Sequence, residues 1–333
     1  MDSEGRIGWG VLGAAGVARR RFLPALRAAT NAQLVILGSR SLEHAAAAVE
    51  AVGQGRPVSA YEAVLEDPEV EAVYLPLPNA LHREWALKAL DAGKHVLCEK
   101  PLVLSSSEVD ELAQAALSAD RVVMEAFMYR LHPQYERSTW EPLLRDIGAI
   151  RLAQARFSFP FDRPGDIREN AELGGGALWD IGSYCLDVLT WQLGDVVEVQ
   201  ALGDLRGGTI WTAAIELRSP QDRLGRRGAA LQVHSRSDSR LWVSTLDLDG
   251  PFRAVGPATA RVEVDGEVRT TPLPTDDCFR REIEHFGQVV RGHTTPAVPL
   301  EDSARWISVA EQVAKDVLGG ASELSSDIHV VSR

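Results

Sequence analysis

The feature that most constrains this chain is the alternation in its first 125 residues: short apolar runs separated by helical patterns, with glycine at the turns. The runs are Arg6–Leu12, Gln33–Leu37, Val70–Leu77 and His95–Pro101. Between them lie helical patterns over Val17–Ala29, Leu42–Val52, Tyr61–Leu65 and His82–Ala92, the last closed by Gly93. Strands that alternate with helices predict an α/β fold with a doubly wound parallel sheet. In such a sheet a ligand sits beyond the carboxyl ends of the strands. Three strand ends therefore stand out.

The first strand runs into Gly13-Ala14-Ala15-Gly16-Val17-Ala18 and then into a helix. Glycine there lets the backbone approach a pyrophosphate, and the helix start supplies N–H groups and a positive dipole end. Against the dinucleotide fingerprint G-x-G-x-x-G/A, Gly13 and Ala18 fit, while Ala15 replaces the second glycine. The second strand ends Gly38-Ser39-Arg40, with no acidic residue to bond a ribose 2′-hydroxyl. A small hydroxyl beside a guanidinium suits a 2′-phosphate, so the cofactor expected is NADP. The fourth run ends Glu99-Lys100-Pro101, and Lys100 is one of only four lysines. It stands where a bound ligand is expected.

The remaining composition bounds the answer. A length of 333 residues suits two domains, and the boundary is expected near residue 125, giving 1–125 and 126–333. A net charge of −12 argues against a nucleic-acid partner. No run approaches the ~20 apolar residues of a membrane span. The polar, acidic start lacks the pattern of a secretory signal. Three scattered cysteines offer no metal-binding spacing. A cytoplasmic, metal-free protein is expected.

In the second half, Pro133–Leu144 reads as helix, Arg151–Phe159 as strand and 160–168 as a polar loop. Gly174-Gly175-Gly176 is expected to be a flexible linker or a place where backbone meets a ligand. Ala177–Leu193 is helical, closed by Gly194, and Asp180 and Tyr184 lie on one face, four residues apart. Strands are expected over 196–202, 209–217, 228–235, 240–246 and 260–264, without intervening helices, hence an open antiparallel or mixed sheet. Phe279–Val290 and Ser303–Leu318 read as amphipathic helices, and the tail after Gly319 as frayed.

With these motifs assembled, the chain resembles the glucose–fructose oxidoreductase/inositol dehydrogenase (Gfo/Idh/MocA) family. The resemblance rests on the glycine turn, Pro78-Asn79 with His82, residues 92–96, Glu99-Lys100-Pro101, residues 125–133 and residues 174–184. The Gly-Ala-Ala turn, the Ser-Arg strand end and Tyr184 resemble the subgroup of NADP-dependent xylose dehydrogenases, dihydrodiol dehydrogenases and nucleotide-sugar 3-ketoreductases. Inositol dehydrogenases carry histidine where this chain has Tyr184.

The resemblance implies an NADP(H)-dependent oxidoreductase acting on a sugar or polyol. It implies that Gly13, Ala14, Ala15, Gly16, Val17, Ala18, Ser39, Arg40, Leu77, Asn79, His82, Glu99, Lys100 and Pro101 hold the cofactor. Tyr184 is implied as proton donor or acceptor, with Lys100 lowering its pKa and Asp180 orienting the group; Lys100 as the base is the alternative. Arg168 is a candidate for an anionic part of the substrate. It also implies a homo-oligomer, dimer or tetramer, formed through the C-terminal sheet. A nucleotide-linked keto-sugar reductase and a non-catalytic NADP-binding regulator are the alternatives.

Overall fold

Ile7–Leu12 (β1) is buried at every position, as a strand covered by helices on both faces must be. A wide π turn, Ala18–Phe22, leads from it into the α-helix Leu23–Ala28, and the two together form α1. The sequence predicts one continuous helix here, and the structure adds the wide turn at its start. There follow β2 (Ala32–Gly38), α2 (Leu42–Val52), β3 (Arg56–Val58), α3 (Glu62–Leu65), β4 (Ala72–Leu75), α4 (His82–Asp91), β5 (His95–Glu99), α5 (Ser106–Ala119) and β6 (Val123–Ala126). The six strands form one sheet in the order β3-β2-β1-β4-β5-β6, parallel at every pairing. The strand order reverses between β1 and β4, and a ligand crevice opens at such a reversal. This computed structural model describes residues 5–136, 138–139, 142, 155–159, 161–218, 230–233, 242–244, 258–264 and 267–323.

Neither α5 nor β6 was expected from the apolar pattern. The signal for α5 is a capping arrangement. The Ser105 side chain accepts from the Glu108 N–H at 3.3 Å, and Glu108 accepts from the Leu104 N–H at 3.1 Å.

Beyond β6 the expectations fare unevenly. Short 3-10 turns, Met128–Leu131 and Pro133–Tyr135, replace the start of the helix expected over 133–144, most of which lies outside the described residues. Of the strand expected over 151–159, residues 151–154 also lie outside, and 155–159 join no ladder. Their aromatic residues pack on other rings instead, with Phe157 and Phe159 edge-on at 6.4 Å. The helix carrying Asp180 and Tyr184 is present. It begins as a wide turn, Leu178–Gly182, and continues through Ser183–Leu193 (together α6) to Gly194.

The strand-rich stretch is antiparallel. β7 (Glu198–Arg206), β8 (Thr209–Arg218) and β9 (Ala230–Val233) form one ladder. β10 (Trp242–Ser244), β11 (Ala258–Val264) and β12 (Glu267–Leu273) form another, and β12 is an addition to the expected set. The last two helices are α7 (Cys278–Val290) and α8 (Leu300–Glu323). The helix α8 thus continues past Gly319, where fraying was expected, to Glu323, and residues 324–333 lie outside the described residues.

These two helices return to the first half. Phe286 of α7 meets Trp9 of β1 at 5.4 Å, and Glu284 accepts from the Thr30 N–H at 3.0 Å. Trp306 of α8 donates to Glu125 of β6 at 3.0 Å. One buried apolar cluster therefore runs through both halves. Among the described residues no helix is long and apolar enough to cross a membrane.

Candidate active site

The glycine turn sits at the carboxyl end of β1, where α1 starts. Gly13 has φ +125°, a conformation side chains disfavour, and its N–H donates to the Gly38 carbonyl at 2.8 Å. At Gly16 a β-carbon would lie 2.6 Å from the Arg20 guanidinium. Ala14, Ala15, Gly16 and Val17 are partly exposed, while Ala18 is buried beneath them. The open turn at a helix start fits a dinucleotide pyrophosphate. At the end of β2, Ser39 is buried and its hydroxyl accepts from the Ser41 N–H at 3.3 Å. Arg40 is exposed and donates to the Tyr61 hydroxyl. A free guanidinium edge beside Ser39 fits a 2′-phosphate.

The ends of β4 and β5 are clipped together by His82. Its Nδ1 lies 2.7 Å from the Pro101 carbonyl and its Nε2 2.9 Å from the Leu77 carbonyl. Burial lowers its pKa to about 4, so at neutral pH the ring is uncharged and donates to only one of them. The ring is fully buried. His82 therefore ties the loop after β4 to the loop after β5. Asn79 donates to the Gly174 carbonyl at 2.8 Å, joining the two halves. Glu99 accepts from the Tyr74 hydroxyl at 2.5 Å, and the Lys100–Pro101 peptide is cis.

Lys100 and the α6 residues meet at this point. The Lys100 ammonium donates to the Asp180 carbonyl at 2.6 Å and to its Oδ1 at 3.1 Å. Arg168 Nε donates to Asp180 Oδ2 at 2.6 Å, and Arg168 Nη1 to Asp166 Oδ1 at 3.1 Å. Burial pushes the Asp180 carboxyl up, but Lys100 and Arg168 outweigh it and hold the pKa below the usual range. Lys100 Nζ lies 5.0 Å from the centre of the Tyr184 ring. That ring is walled by Phe127 at 5.6 Å and Phe157 at 5.7 Å, and its hydroxyl lies 3.8 Å from Met128 Sδ.

One electrostatic expectation is overturned. Lys100 was expected to lower the Tyr184 pKa. Instead burial raises it well above the usual tyrosine value, and Glu99 and Asp180 add to the rise. The reason is geometric: the ammonium is matched by Asp180 and lies over the ring face. Tyr184 is therefore a neutral phenol at physiological pH.

The Gly174–Gly176 triplet is packed backbone and not a loose linker. A β-carbon at Gly175 would lie 2.6–2.7 Å from the carbonyl oxygens of Arg168, Asn170 and Ile167. Gly174 and Gly176 have φ +73° and +103°. Glycine here lets backbone pack on backbone, which delivers α6 to Lys100.

Beside Asp180 and Arg168 opens a cavity of about 350 Å³, walled by Phe157, Phe159, Phe161 and Trp211. The Arg206 guanidinium lies 5.0 Å over the Trp211 ring. None of these aromatic residues was singled out in the sequence, because spacing alone does not show rings from separate segments converging.

Comparison with known proteins agrees with this geometry. The pattern described as an oxidoreductase family with an NAD-binding Rossmann fold matches residues 7–127, and the GFO/IDH/MocA C-terminal domain matches 145–245. A D-xylose 1-dehydrogenase (NADP(+)) of Haloferax volcanii is 33% identical, covering 94% of this chain and 98% of its own. A dTDP-3,4-didehydro-2,6-dideoxy-α-D-glucose 3-reductase of Actinomadura kijaniata is 33% identical over 92% of this chain and 96% of its own. The crystal structure of a 3-ketoreductase from Actinomadura kijaniata, in complex with NADP and TDP-benzene, superposes with a TM-score of 0.82 at 33% identity, covering 94% of this chain and 98% of that one. The chain thus belongs to the Gfo/Idh/MocA family of oxidoreductases.

Proposed function

We propose that this protein is an NADP(H)-dependent oxidoreductase moving a hydride between the nicotinamide and a CH–OH or C=O group of a sugar or polyol. The observation that carries the reading is the meeting of Lys100, Asp180 and Tyr184 at the carboxyl end of β5, in the sheet whose β1 ends at the open glycine turn. The relatives named above, an NADP(+)-dependent xylose dehydrogenase and a 3-ketoreductase crystallised with NADP, support it.

The Gly13–Ala18 turn would hold the pyrophosphate, Ser39 and Arg40 the 2′-phosphate, and the strand-end residues Leu77, Asn79, Glu99, Lys100 and Pro101 would border the ring. When bound, the nicotinamide supplies or accepts the hydride. The chain's own residues handle the oxygen. Lys100, held by Asp180, presents an ammonium that favours negative charge building on that oxygen. Tyr184, a phenol with raised proton affinity, gives its proton to the same oxygen, which is the demand of carbonyl reduction. Arg168, bound to Asp166 and Asp180 with its remaining N–H groups open to the cavity, orients the substrate.

The cavity favours a second reading of the substrate. Four aromatic rings with Arg168 and Arg206 suit a planar base and a negatively charged linker better than a bare sugar. A nucleotide-linked keto-sugar is that reading. Turnover with free pyranoses, polyols and diols plus NADP⁺, set against nucleotide-linked keto-sugars plus NADPH, separates the two. Silence on both with NADPH bound would contradict both and leave a cofactor-binding regulator. We further propose a cytoplasmic homo-oligomer, dimer or tetramer, formed through the β7–β8 face, where Leu202 is 73% exposed. Light scattering would return the monomer mass if that is wrong.

A further inference from the structure

Arg20, in the wide turn that opens α1, is a guanidinium without a carboxylate in a chain rich in carboxylates. Asp and Glu number 47 against 35 Lys and Arg, and Arg83, Arg130, Arg168, Arg280 and Arg305 each meet one. Among the described residues the Arg20 side chain forms no ion pair and no hydrogen bond. Yet it does not simply extend into solvent. Its tip folds back over the glycine turn: a β-carbon at Gly16 would lie 2.6 and 2.9 Å from its two Nη atoms and 3.0 Å from Cζ. The space left by the missing side chain of Gly16 is thus the space the guanidinium takes.

The fold explains how it gets there. Gly16 and Arg20 are four residues apart and share a helix face, and helical side chains lean toward the N-terminus. Ala18 and Phe22 are buried, with Phe22 on Trp9 of β1 and Tyr74 of β4. Arg20, Pro24 and Arg27 are exposed, so the guanidinium lies on the solvent side of the turn. Its position also runs against the helix macrodipole. Arg19, Arg20 and Arg21 crowd the opening turn of α1, which holds no acidic residue, and cations are disfavoured at a helix's positive end. An anion at the turn relieves that repulsion.

We propose that Arg20 is a cofactor-binding residue: its guanidinium closes the solvent side of the Gly13–Ala18 turn and pairs with the pyrophosphate of NADP(H), leaving the 2′-phosphate to Ser39 and Arg40. The proposal rests on NADP(H) as the cofactor of this turn. The backbone N–H groups at the helix start supply partial positive charge, and Arg20 adds a full charge with a fork of donors matched to phosphate oxygens. Both nicotinamide dinucleotides carry the pyrophosphate. Arg20 therefore adds affinity for NADH and NADPH alike, whereas Arg40 discriminates between them.

Titration of the full chain with NADPH and with NADH, followed by nicotinamide fluorescence, tests this without turnover. Arg20→Ala should raise both Kd values by about tenfold, the scale of one charge-assisted hydrogen bond. Arg40→Ala should raise the Kd for NADPH alone. Arg20→Lys keeps the charge and loses the fork, so its values should fall between those of wild type and Arg20→Ala. Added salt should weaken binding less steeply in Arg20→Ala than in wild type. Kd values unchanged by Arg20→Ala, or a loss confined to NADPH, overturn the proposal alone. A wild-type chain that binds neither nucleotide overturns it together with the cofactor reading, so the two failures are told apart.

Discussion

Two buried ionic clusters in this molecule have opposite characters. In the first, Arg130 binds Asp187 through two nitrogens, at 2.9 and 2.5 Å, and Asp302 through a third at 2.6 Å, while the Tyr129 hydroxyl also donates to Asp187. Arg130 and Asp187 are 1% and 0% exposed. Every strong donor and acceptor there is matched, and the cluster ties the turn after β6 to α6 and α8. In the second, Lys100 shares Asp180 with Arg168 and faces the Tyr184 ring, whose hydroxyl lies 3.8 Å from Met128 Sδ beside a wall of rings. A saturated cluster has nothing left for a ligand and acts as a brace. One whose charged donors border an open cavity is stabilised further when a substrate oxygen arrives.

This contrast can be broken at either cluster. The largest effect is expected at the brace. Asp187→Ala removes two of the three carboxylate bonds to the buried Arg130 guanidinium and leaves it Asp302 alone; it should cost about 3 kcal/mol, read by urea unfolding, with turnover per folded molecule little changed. A stability near wild type would mean the brace carries little. Lys100→Ala should do the reverse. Turnover should fall by about 10²–10³-fold, and the thermal midpoint should hold within a few degrees, because Asp180 retains Arg168.

A smaller, pH-dependent effect belongs to Glu125. It accepts from the Leu102 N–H, the Ser303 hydroxyl and the Trp306 indole, yet burial outweighs these donors and raises its pKa to about 7. A folded-state pKa above the unfolded one gives stability that is complete at low pH and lost as pH rises. The loss should fall between about pH 4.5 and about pH 7. Denaturant midpoints across that window should slope downward in wild type, and Glu125→Gln should remove this slope. The smallest effect is Arg40→Ala, which should shrink a preference for NADPH over NADH by about tenfold, about 1.4 kcal/mol. A wild-type preference for NADH would contradict the assignment of Ser39 and Arg40.

Much of this was legible because the chemistry sits at strand ends. The period of the apolar runs located β1, β2, β4 and β5, and Lys100 follows β5 directly. Four-residue spacing put Asp180 and Tyr184 on one face of α6. What escaped notice depends on contacts distant in sequence. Glu282 occupies a place in the apolar stripe of α7, between Phe279 and Phe286, where a charged residue reads as a solvated break; the packing of α7 on the first half buries it. Glu125 ends its run beside residues 303–306, some 180 positions later. The Tyr184 shift runs opposite to the expectation because the sequence shows Lys100 but not the burial of the phenol or the charges of Glu99 and Asp180 near it. The rings at 157, 159, 161 and 211 become one wall only when β8 lies against the loop.

The most direct test of the central claim is the turnover of Tyr184→Phe beside its thermal midpoint, measured on whichever half of the substrate panel the wild-type protein uses. The midpoint should stay close to wild type, since the substitution keeps the ring and its packing on Phe127 and Phe157, and kcat should fall by at least about 10²-fold, the scale of a lost general acid. Wild-type turnover by a fully folded Tyr184→Phe protein would show that the proton comes from elsewhere and that the open cluster is not the reaction centre.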